Sequence, residues 1–300
     1  MPRTSIGRTR LGVAVIALLA CAGGTAAAVP ADTPTQLQPQ VLALPTAKAF
    51  VSNLDLECFR TSFYQPPVTT ITTTHINPVL AGLPVETHTL GPRSQLCVPV
   101  AKNHVAPPAG VADFVRFVDL ACYQISGQTV NWPLTLSHLN PLLQTLPRRD
   151  VTIVAPDQLC LPVIKNNVVP PTEVLNLVRY IDLKCYRESP QVPLNIGLNL
   201  TQLNPVLQNI PPTDVRVLEN RQFCVPVRKN NQAIPADVFN IVRWIDIEKF
   251  DILAPAPVSI NLGLRHINPL LANLPAEPAT LTSRMQLGLP MAKNGLIPPG

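Results

Sequence analysis

Apolar and polar side chains alternate around three of the cysteines, most clearly at Leu120 and Cys122. Successive side chains of a β-strand point to opposite faces, so this period of two predicts a half-buried strand. The stretch around Cys185 shows the same pattern. We expect residues 114–116 and their equivalents to extend this strand backward, although Pro171 could open a short helix in one equivalent stretch.

Further strands are predicted at 150–155, 193–200 and 214–219, where the alternation returns. Asn-Pro pairs predict short helices, because asparagine caps free backbone N–H groups and proline suits the first helical position. Another proline follows shortly after each Asn-Pro pair, which limits the helix to about two turns. The pattern therefore indicates a mainly β fold.

Three sequence motifs recur four times in the same order. The first reads NLDLECF from residue 53, FVDLACY from 117, YIDLKCY from 180 and WIDIEKF from 244. The second reads HINPVLAGLP from 75, and its equivalents begin at 138, 202 and 266. The third reads QLCVPVAKN from 95, QLCLPVIKN from 158, QFCVPVRKN from 222 and QLGLPMAKN from 286. Such regular recurrence of the same motifs in the same order predicts tandem repeats.

Spacing inside the copies is nearly constant, since the motif asparagine and the motif lysine are equally far apart in all four, from Asn77 to Lys102 in the first. We predict four tandem β-rich modules of about 64 residues, each with one short helix: repeat 1 at 50–113, repeat 2 at 114–176, repeat 3 at 177–240 and repeat 4 at 241–300. The boundaries contain no Gly/Ser linker, which favours continuous packing over separate beads. No copy carries an inserted loop, which argues against a catalytic site added to one module.

Six cysteines occupy two equivalent positions in the first three copies. Pairing within each copy leaves no free thiol, whereas pairing across copies leaves two. The fourth copy has lost both members of the pair, to Lys249 and Gly288. The predicted disulfides are therefore Cys58–Cys97, Cys122–Cys160 and Cys185–Cys224. A zinc site is disfavoured, because zinc sites usually contain cysteine pairs that are close in sequence and all six cysteines here lie far from one another.

These motifs, Leu-x-Cys-Tyr and Leu-Cys-x-Pro-x-x-Lys-Asn, resemble an uncharacterised repeat domain, a domain of unknown function, of secreted bacterial proteins. The resemblance covers residues 50–300 and implies exported, disulfide-containing repeats. It supplies no activity and no catalytic residues. The fourth copy departs from the pattern by lacking both cysteines.

The stretch 1–28 has the pattern of a secretory signal peptide. Three arginines and no acidic residue precede the apolar run 11–20, which is too short to span a membrane. Signal peptidase could cut after Ala28, leaving 29–49 as an N-terminal segment before the first repeat. Alternatively, residues 1–20 are a lipoprotein signal and Cys21 is the lipidated first residue. A lipid on Cys21 would be the chain's contact with the membrane.

Composition narrows the class of protein. With 46% apolar and 14% charged residues, the chain can bury a core despite its 35 prolines. Removing residues 1–28 takes away three arginines and no acidic residue, so the formal net charge falls from +5 to +2. A weakly charged chain lacks the basic footprint of a nucleic-acid-binding protein.

Recurring polar residues have ordinary interpretations. The histidines at 75, 138 and 266 precede Asn-Pro, but Gln202 takes this place in the third copy and cannot titrate, so we expect a structural hydrogen bond. Lys-Asn pairs could face an anionic polymer, yet they are also common in turns, which the low net charge favours. We expect the aspartates of the first motif to be solvated or to make cross-strand contacts, since clustered calcium ligands are absent from the sequence.

Enzyme motifs such as G-x-S-x-G and H-E-x-x-H are absent from the sequence. We expect no catalytic residues, cofactor or metal. The leading hypothesis is an exported, non-enzymatic protein with a structural or binding role in the cell envelope and an unknown protein or glycan as partner. The alternatives are a secreted protein inhibitor with rigid disulfide-held loops and a carbohydrate-binding or carbohydrate-active protein. The copies differ most at 60–74, 124–137, 187–201 and 251–265, where ligand contacts are expected.

Overall fold

The computed structural model describes residues 42–300, and strands predominate in it, so the mainly β prediction is confirmed. The strands are β1 (Leu56–Thr61), β2 (Thr70–His75), β3 (Glu86–Thr89), β4 (Arg93–Lys102), β5 (Leu120–Gln124), β6 (Trp132–His138), β7 (Arg149–Lys165), β8 (Leu183–Ser189), β9 (Pro193–Gln202), β10 (Thr213–Lys229), β11 (Ile247–Leu253), β12 (Ile260–His266) and β13 (Glu277–Lys293). The helices are α1 (Ala47–Ser52), α2 (Ala109–Val115), α3 (Thr172–Val178) and α4 (Ala236–Val242). The predicted signal peptide and Cys21 lie outside the described residues.

Eight strands close into an antiparallel cylinder. Around it they follow the order β1, β4, β5, β7, β8, β10, β11 and β13, and β13 pairs back with β1. The pairing of Cys58 with Gln286 thus joins the first and last strands. Strands also pair across the predicted repeat boundaries, for example β4 with β5. The segments therefore pack as one continuous structure, as the constant register predicts.

Helices α1 to α4 cover one end of the cylinder, where α1 contacts α2 and α4, and α3 contacts α2 and α4. In α2 the buried residues are Val111, Phe114 and Val115, a helical spacing that places them on one face. The prediction that 114–116 extends a strand is therefore wrong, and the alternative of a short helix opened by Pro171 is confirmed by α3. The helical spacing of these apolar residues is difficult to recognise in the sequence, because it covers only two turns and is followed directly by the alternating pattern of β5.

Hairpins cover the outside of the cylinder. Three strands, β7, β10 and β13, have 17 residues each and belong to both a hairpin and the cylinder. Their first halves pair with β6, β9 and β12, respectively. Shifts in the pairing register of β7 and β10 occur where these strands pass from the hairpin into the cylinder. Leu134 and Val151 of the β6–β7 hairpin pack with Tyr186 and Phe223, whose side chains point outward from the cylinder. The ends of β2, β6, β9 and β12 also pair with β10, β13, β4 and β7. Each hairpin thereby links distant parts of the sequence.

The Asn-Pro segments are shorter than predicted. Three of them form single 3-10 turns at Pro78–Leu80, Pro205–Leu207 and Pro269–Leu271, and the segment after Asn140 is a turn. The predicted two-turn helix is therefore wrong, because the second proline returns the chain to a strand before a helix can propagate. Capping by asparagine is confirmed: the side chain of Asn77 accepts a hydrogen bond from the Val79 N–H at 3.0 Å.

All three predicted disulfides are present, and each joins two directly paired strands. Neighbouring disulfides also touch inside the cylinder. Cys97 Sγ lies 3.8 Å from Cys122 Sγ, and Cys160 Sγ lies 3.7 Å from Cys185 Sγ. The cystines therefore form a row that crosses three of the predicted repeats.

Candidate ligand-binding site at the open end of the cylinder

Side chains inside the cylinder form three layers, because every second residue of a strand points inward. The layer next to the helices is apolar and contains Leu56, Leu120, Leu183 and Ile247, each paired with a proline. The middle layer contains the three disulfides and the pair Lys249–Gly288. The third layer lies at the end away from the helices, and we call it the mouth layer. Its pairs are Arg60–Gln95, Gln124–Gln158, Arg187–Gln222 and Asp251–Gln286.

Hydrogen bonds connect the mouth layer, and the one between β4 and β13 crosses non-adjacent strands, which confirms that Gln95 and Gln286 point inward. Gln95 Nε2 donates to Gln286 Oε1 at 2.7 Å, and Gln286 Nε2 donates to Asp251 Oδ1 at 3.2 Å. Arg221 forms an ion pair with Asp251. The glutamines of β4, β7, β10 and β13 are buried, whereas Arg60 and Arg187 are exposed. The mouth layer is therefore a hydrogen-bonded floor with two arginines at its rim.

Lys249 reaches across the interior beneath this floor. Its Nζ donates to Gln158 Oε1 at 2.9 Å and to Gln95 Oε1 at 3.1 Å, and it lies 3.7 Å from the sulfurs of Cys122 and Cys160. Burial lowers the pKa of Lys249 to about 7, and the charge of Asp157 opposes this shift. The Lys249 ammonium group therefore loses its proton near neutral pH, more readily than an exposed lysine does.

All four sequence-variable segments leave the cylinder at the mouth. Strands β1, β5, β8 and β11 alternate with the other four around an antiparallel cylinder, so they run in the same direction. Each follows a helix and therefore starts at the helical end. The segments predicted to hold ligand contacts begin where these strands end, and their first residues surround the mouth layer.

A cavity of about 400 Å³ opens beside the mouth, lined by Arg60, Phe63, Ser94, Gln124 and Met285 among others. Phe63 is 79% exposed, although large aromatic side chains usually contribute buried area. Val68, in the same loop, is 90% exposed. Trp132, by contrast, is partly buried against the β6–β7 hairpin core. The loop after β1 is thus distinguished by its exposed apolar side chains.

The recurring lysines and aspartates are structural and buried. Lysines at the ends of β4, β7, β10 and β13 form ion pairs with the aspartates that precede β1, β5, β8 and β11: Asp55–Lys102, Asp119–Lys165, Asp182–Lys229 and Asp246–Lys293. Burial raises the pKa of each aspartate and lowers that of each lysine, and the partner's charge opposes both shifts.

This arrangement corrects one prediction and decides another. The lysines lie in strands rather than in turns. The aspartates are buried rather than solvated, and the cross-strand contact, which was the other expectation for them, is confirmed. The asparagines after the lysines do adopt the left-handed conformation, as at Asn103 with φ 48°. Asparagines of the Asn-Pro turns complete several pairs; for example, Asn204 Nδ2 donates to Asp119 Oδ2 at 2.9 Å.

The histidines are also structural, in two different ways. His75 Nε2 lies 2.8 Å from the Tyr186 hydroxyl, and His266 Nε2 lies 3.1 Å from the Tyr123 hydroxyl, so the predicted hydrogen bond is confirmed for both. His138 instead stacks on Phe250, which has no hydroxyl, and neither ring nitrogen has a hydrogen-bond partner among residues 42–300. Burial lowers the pKa of His138 to about 4, with Arg149 adding to the shift.

The sequence pattern was not enough to identify Lys249 and the glutamines as interior residues, although it does place the glutamines and Arg60 on the same face as the cysteines. Gln95 lies two residues before Cys97, and Arg60 lies two after Cys58, so the period of two places all of them on one face. The alternating pattern does not indicate that the sheet closes into a cylinder, with this face on the inside. That closure brings Gln95 and Lys249, 154 positions apart in the chain, into contact.

Comparison with known proteins finds no matching family model, no similar curated protein and no similar solved structure. In the described part of the chain, no group of three or more His, Cys, Asp or Glu side chains could hold a metal ion. No helix within residues 42–300 has the length and apolar character needed to cross a membrane. The three disulfides indicate an oxidising, extracytoplasmic location.

Proposed function

We propose that this chain is an exported, non-enzymatic binding protein of the cell envelope, built from four tandem modules, that presents variable loops around the mouth of one rigid scaffold. The observation that carries the proposal is that all four variable segments leave the cylinder at the same end, so that the first part of each lies at the mouth. Binding residues are commonly placed on loops held by a rigid framework, because loops tolerate sequence change that strands do not. A closed cylinder with three disulfides is such a framework.

The exposed side chains at the mouth favour a protein as the ligand. Phe63 and Val68 offer apolar contact area, and Arg60 and Arg187 offer guanidinium groups at equivalent positions in non-adjacent modules. Aromatic residues and arginines carry much of the binding energy in protein interfaces. Among residues 42–300, the two most exposed large apolar side chains, Phe63 and Val68, both lie in the loop after β1. This also supports the inhibitor alternative, in which one distinctive loop makes the main contact.

We expect Phe63→Ser to weaken binding at least tenfold, since an aromatic anchor contributes about 2 kcal/mol or more. The secreted protein is used as bait on envelope and medium fractions, bound proteins are identified by mass spectrometry, and their affinity for the bait variants is then measured.

The matched control is Val105→Ser, which changes a 55% exposed apolar residue at the helical end. It should leave affinity unchanged. Binding that survives Phe63→Ser but is lost with Val105→Ser would place the interface at the wrong end and overturn the proposal. A glycan array probed with the same variants tests the carbohydrate alternative.

A further inference from the structure

Lys249 differs from every other buried lysine in the described part of the chain. Five lysines are at most 1% exposed, and each has a carboxylate partner: Lys102, Lys165, Lys184, Lys229 and Lys293. Lys249 is 2% exposed, and no carboxylate of residues 42–300 lies within 4.0 Å of its Nζ. A buried charge without a counter-ion is costly. Its two glutamine partners satisfy hydrogen bonds but supply no negative charge, and the charge of Asp157, more than 4.0 Å away, offsets the cost of burial only in part.

Beyond the glutamines, the polar atoms in contact with the Lys249 Nζ are the two sulfurs of one disulfide. Nζ lies 3.7 Å from both Cys122 Sγ and Cys160 Sγ. A disulfide sulfur is a neutral, weak acceptor, whereas a thiolate carries a full negative charge. Lysine beside a cysteine lowers the thiol pKa by stabilising that charge. Opening of Cys122–Cys160 would therefore create an anion in direct contact with Lys249.

We infer that Cys122–Cys160 is a redox-active disulfide, reduced by small thiols, whose reduced form is stabilised by Lys249. A thiolate of the small reductant attacks one sulfur, forming a mixed disulfide and releasing the other cysteine as a thiolate beside Lys249. A second molecule of the reductant resolves the mixed disulfide. Two thiols are oxidised to one disulfide. One of their two protons passes to one cysteine and the other to solvent, which leaves the second cysteine as a thiolate beside Lys249, so atoms, charge and electrons balance. A disulfide whose reduced form is stabilised is the more oxidising one.

Access to the sulfurs is through the mouth layer. Gln95 and Gln158 form the floor directly above them and hold Lys249 by hydrogen bonds. Displacement of these two side chains exposes the middle layer to a small thiol. Cys58–Cys97 and Cys185–Cys224 lie in the same layer without a lysine contact among the described residues, so they serve as references inside the same molecule.

The test is equilibration of the intact secreted protein with graded mixtures of reduced and oxidised glutathione at pH 6.5, where Lys249 with its pKa of about 7 is mostly protonated. Acid quenching, alkylation and mass spectrometry of each cysteine peptide follow. We expect Cys122 and Cys160 to be alkylated predominantly, at thiol concentrations where the other four remain oxidised. Lys249→Met should raise the glutathione ratio needed for half-reduction of this disulfide about tenfold, the effect of one pKa unit. Lys249→Arg keeps the positive charge, so Cys122–Cys160 should still be reduced before the other two disulfides.

A variant that merely destabilised the fold would make all three disulfides easier to reduce. The order of reduction therefore separates a general loss of stability from a specific effect of Lys249 on Cys122–Cys160. If Lys249→Met does not fold, Lys249→Gln removes the charge with a smaller polar side chain. In concentrated guanidinium chloride the preference should disappear. The inference is overturned if the three disulfides resist reduction equally, or if Cys122–Cys160 still opens first without the lysine charge.

Discussion

Lys165→Met should reduce the free energy of unfolding by about 3 to 5 kcal/mol, the range for removing one partner of a buried ion pair. Lys165 and Asp119 are both buried, and only the amide of Asn204 would remain to satisfy the carboxylate. Guanidinium chloride unfolding with intact disulfides measures the loss. The effect follows from the charge left behind rather than from the strength of the pair itself.

Two controls separate these contributions. Asp119→Asn together with Lys165→Met removes both charges and should recover most of the lost stability. Arg116→Met breaks the pair with Asp113, in which both side chains are at least 33% exposed, and should cost under about 1 kcal/mol. Equal losses from Arg116→Met and Lys165→Met would contradict the structural role of the buried pairs.

The loss in Lys165→Met should also depend on pH. Burial already raises the pKa of Asp119 above its unfolded value, and removing the lysine raises it further. A carboxyl whose folded pKa is raised destabilises the protein progressively as pH rises above its unfolded pKa of about 3.9. The difference between the variant and the wild type should therefore be smaller at pH 5 than at pH 7.5.

A fourth disulfide should form in the triple variant Ile247→Leu, Lys249→Cys, Gly288→Cys. Lys249 and Gly288 are paired in the same way as the cysteines of the three disulfides. A Cβ at position 288 would lie 2.6 Å from Cγ2 of Ile247, so the β-branched side chain must also change. The other modules have leucine there. Closing this loop should contribute about 4 kcal/mol, offset in part by the two lost Lys249 hydrogen bonds, for a net gain of about 2 to 3 kcal/mol.

Alkylation and mass spectrometry of the unfolded triple variant detect the new bond, and guanidinium chloride unfolding measures the gain. The double variant that keeps Ile247 is the matched control and should form the bond less completely. Free thiols at 249 and 288 in the triple variant would show that β11 and β13 are not paired as the structure has them.

Local signals in the sequence were enough for the strands around the cysteines, the asparagine caps and the disulfides. Each depends on residue spacing or on equivalence between copies. The helix α2 was missed because its apolar residues cover only two turns beside a strand pattern. The Asp119–Lys165 pair was missed because its partners are far apart in the chain, and alternation places a residue on a face without identifying what it meets.

Closure of the cylinder could not be predicted from local patterns either, because it depends on contacts between residues that are far apart in the chain. The pairing of β1 with β13 joins the two ends of the described chain, and no spacing rule within one copy specifies it. The three interior layers, the contact between Lys249 and Gln95, and the exit of all four variable segments at one end all depend on this closure. The mouth could therefore be identified only from the tertiary structure.

Amide hydrogen exchange, followed by NMR at individual residues of β1, tests this closure most directly. β1 pairs with β4 on one side and β13 on the other, whereas β3 pairs only with β2 and is an edge strand. The structure predicts that the β1 amides facing β13 are protected to the same degree as those of β5, while the outward amides of β3 exchange rapidly. Rapid exchange of the β1 amides at the β13 side, matching β3, would show an open sheet and contradict the closed scaffold.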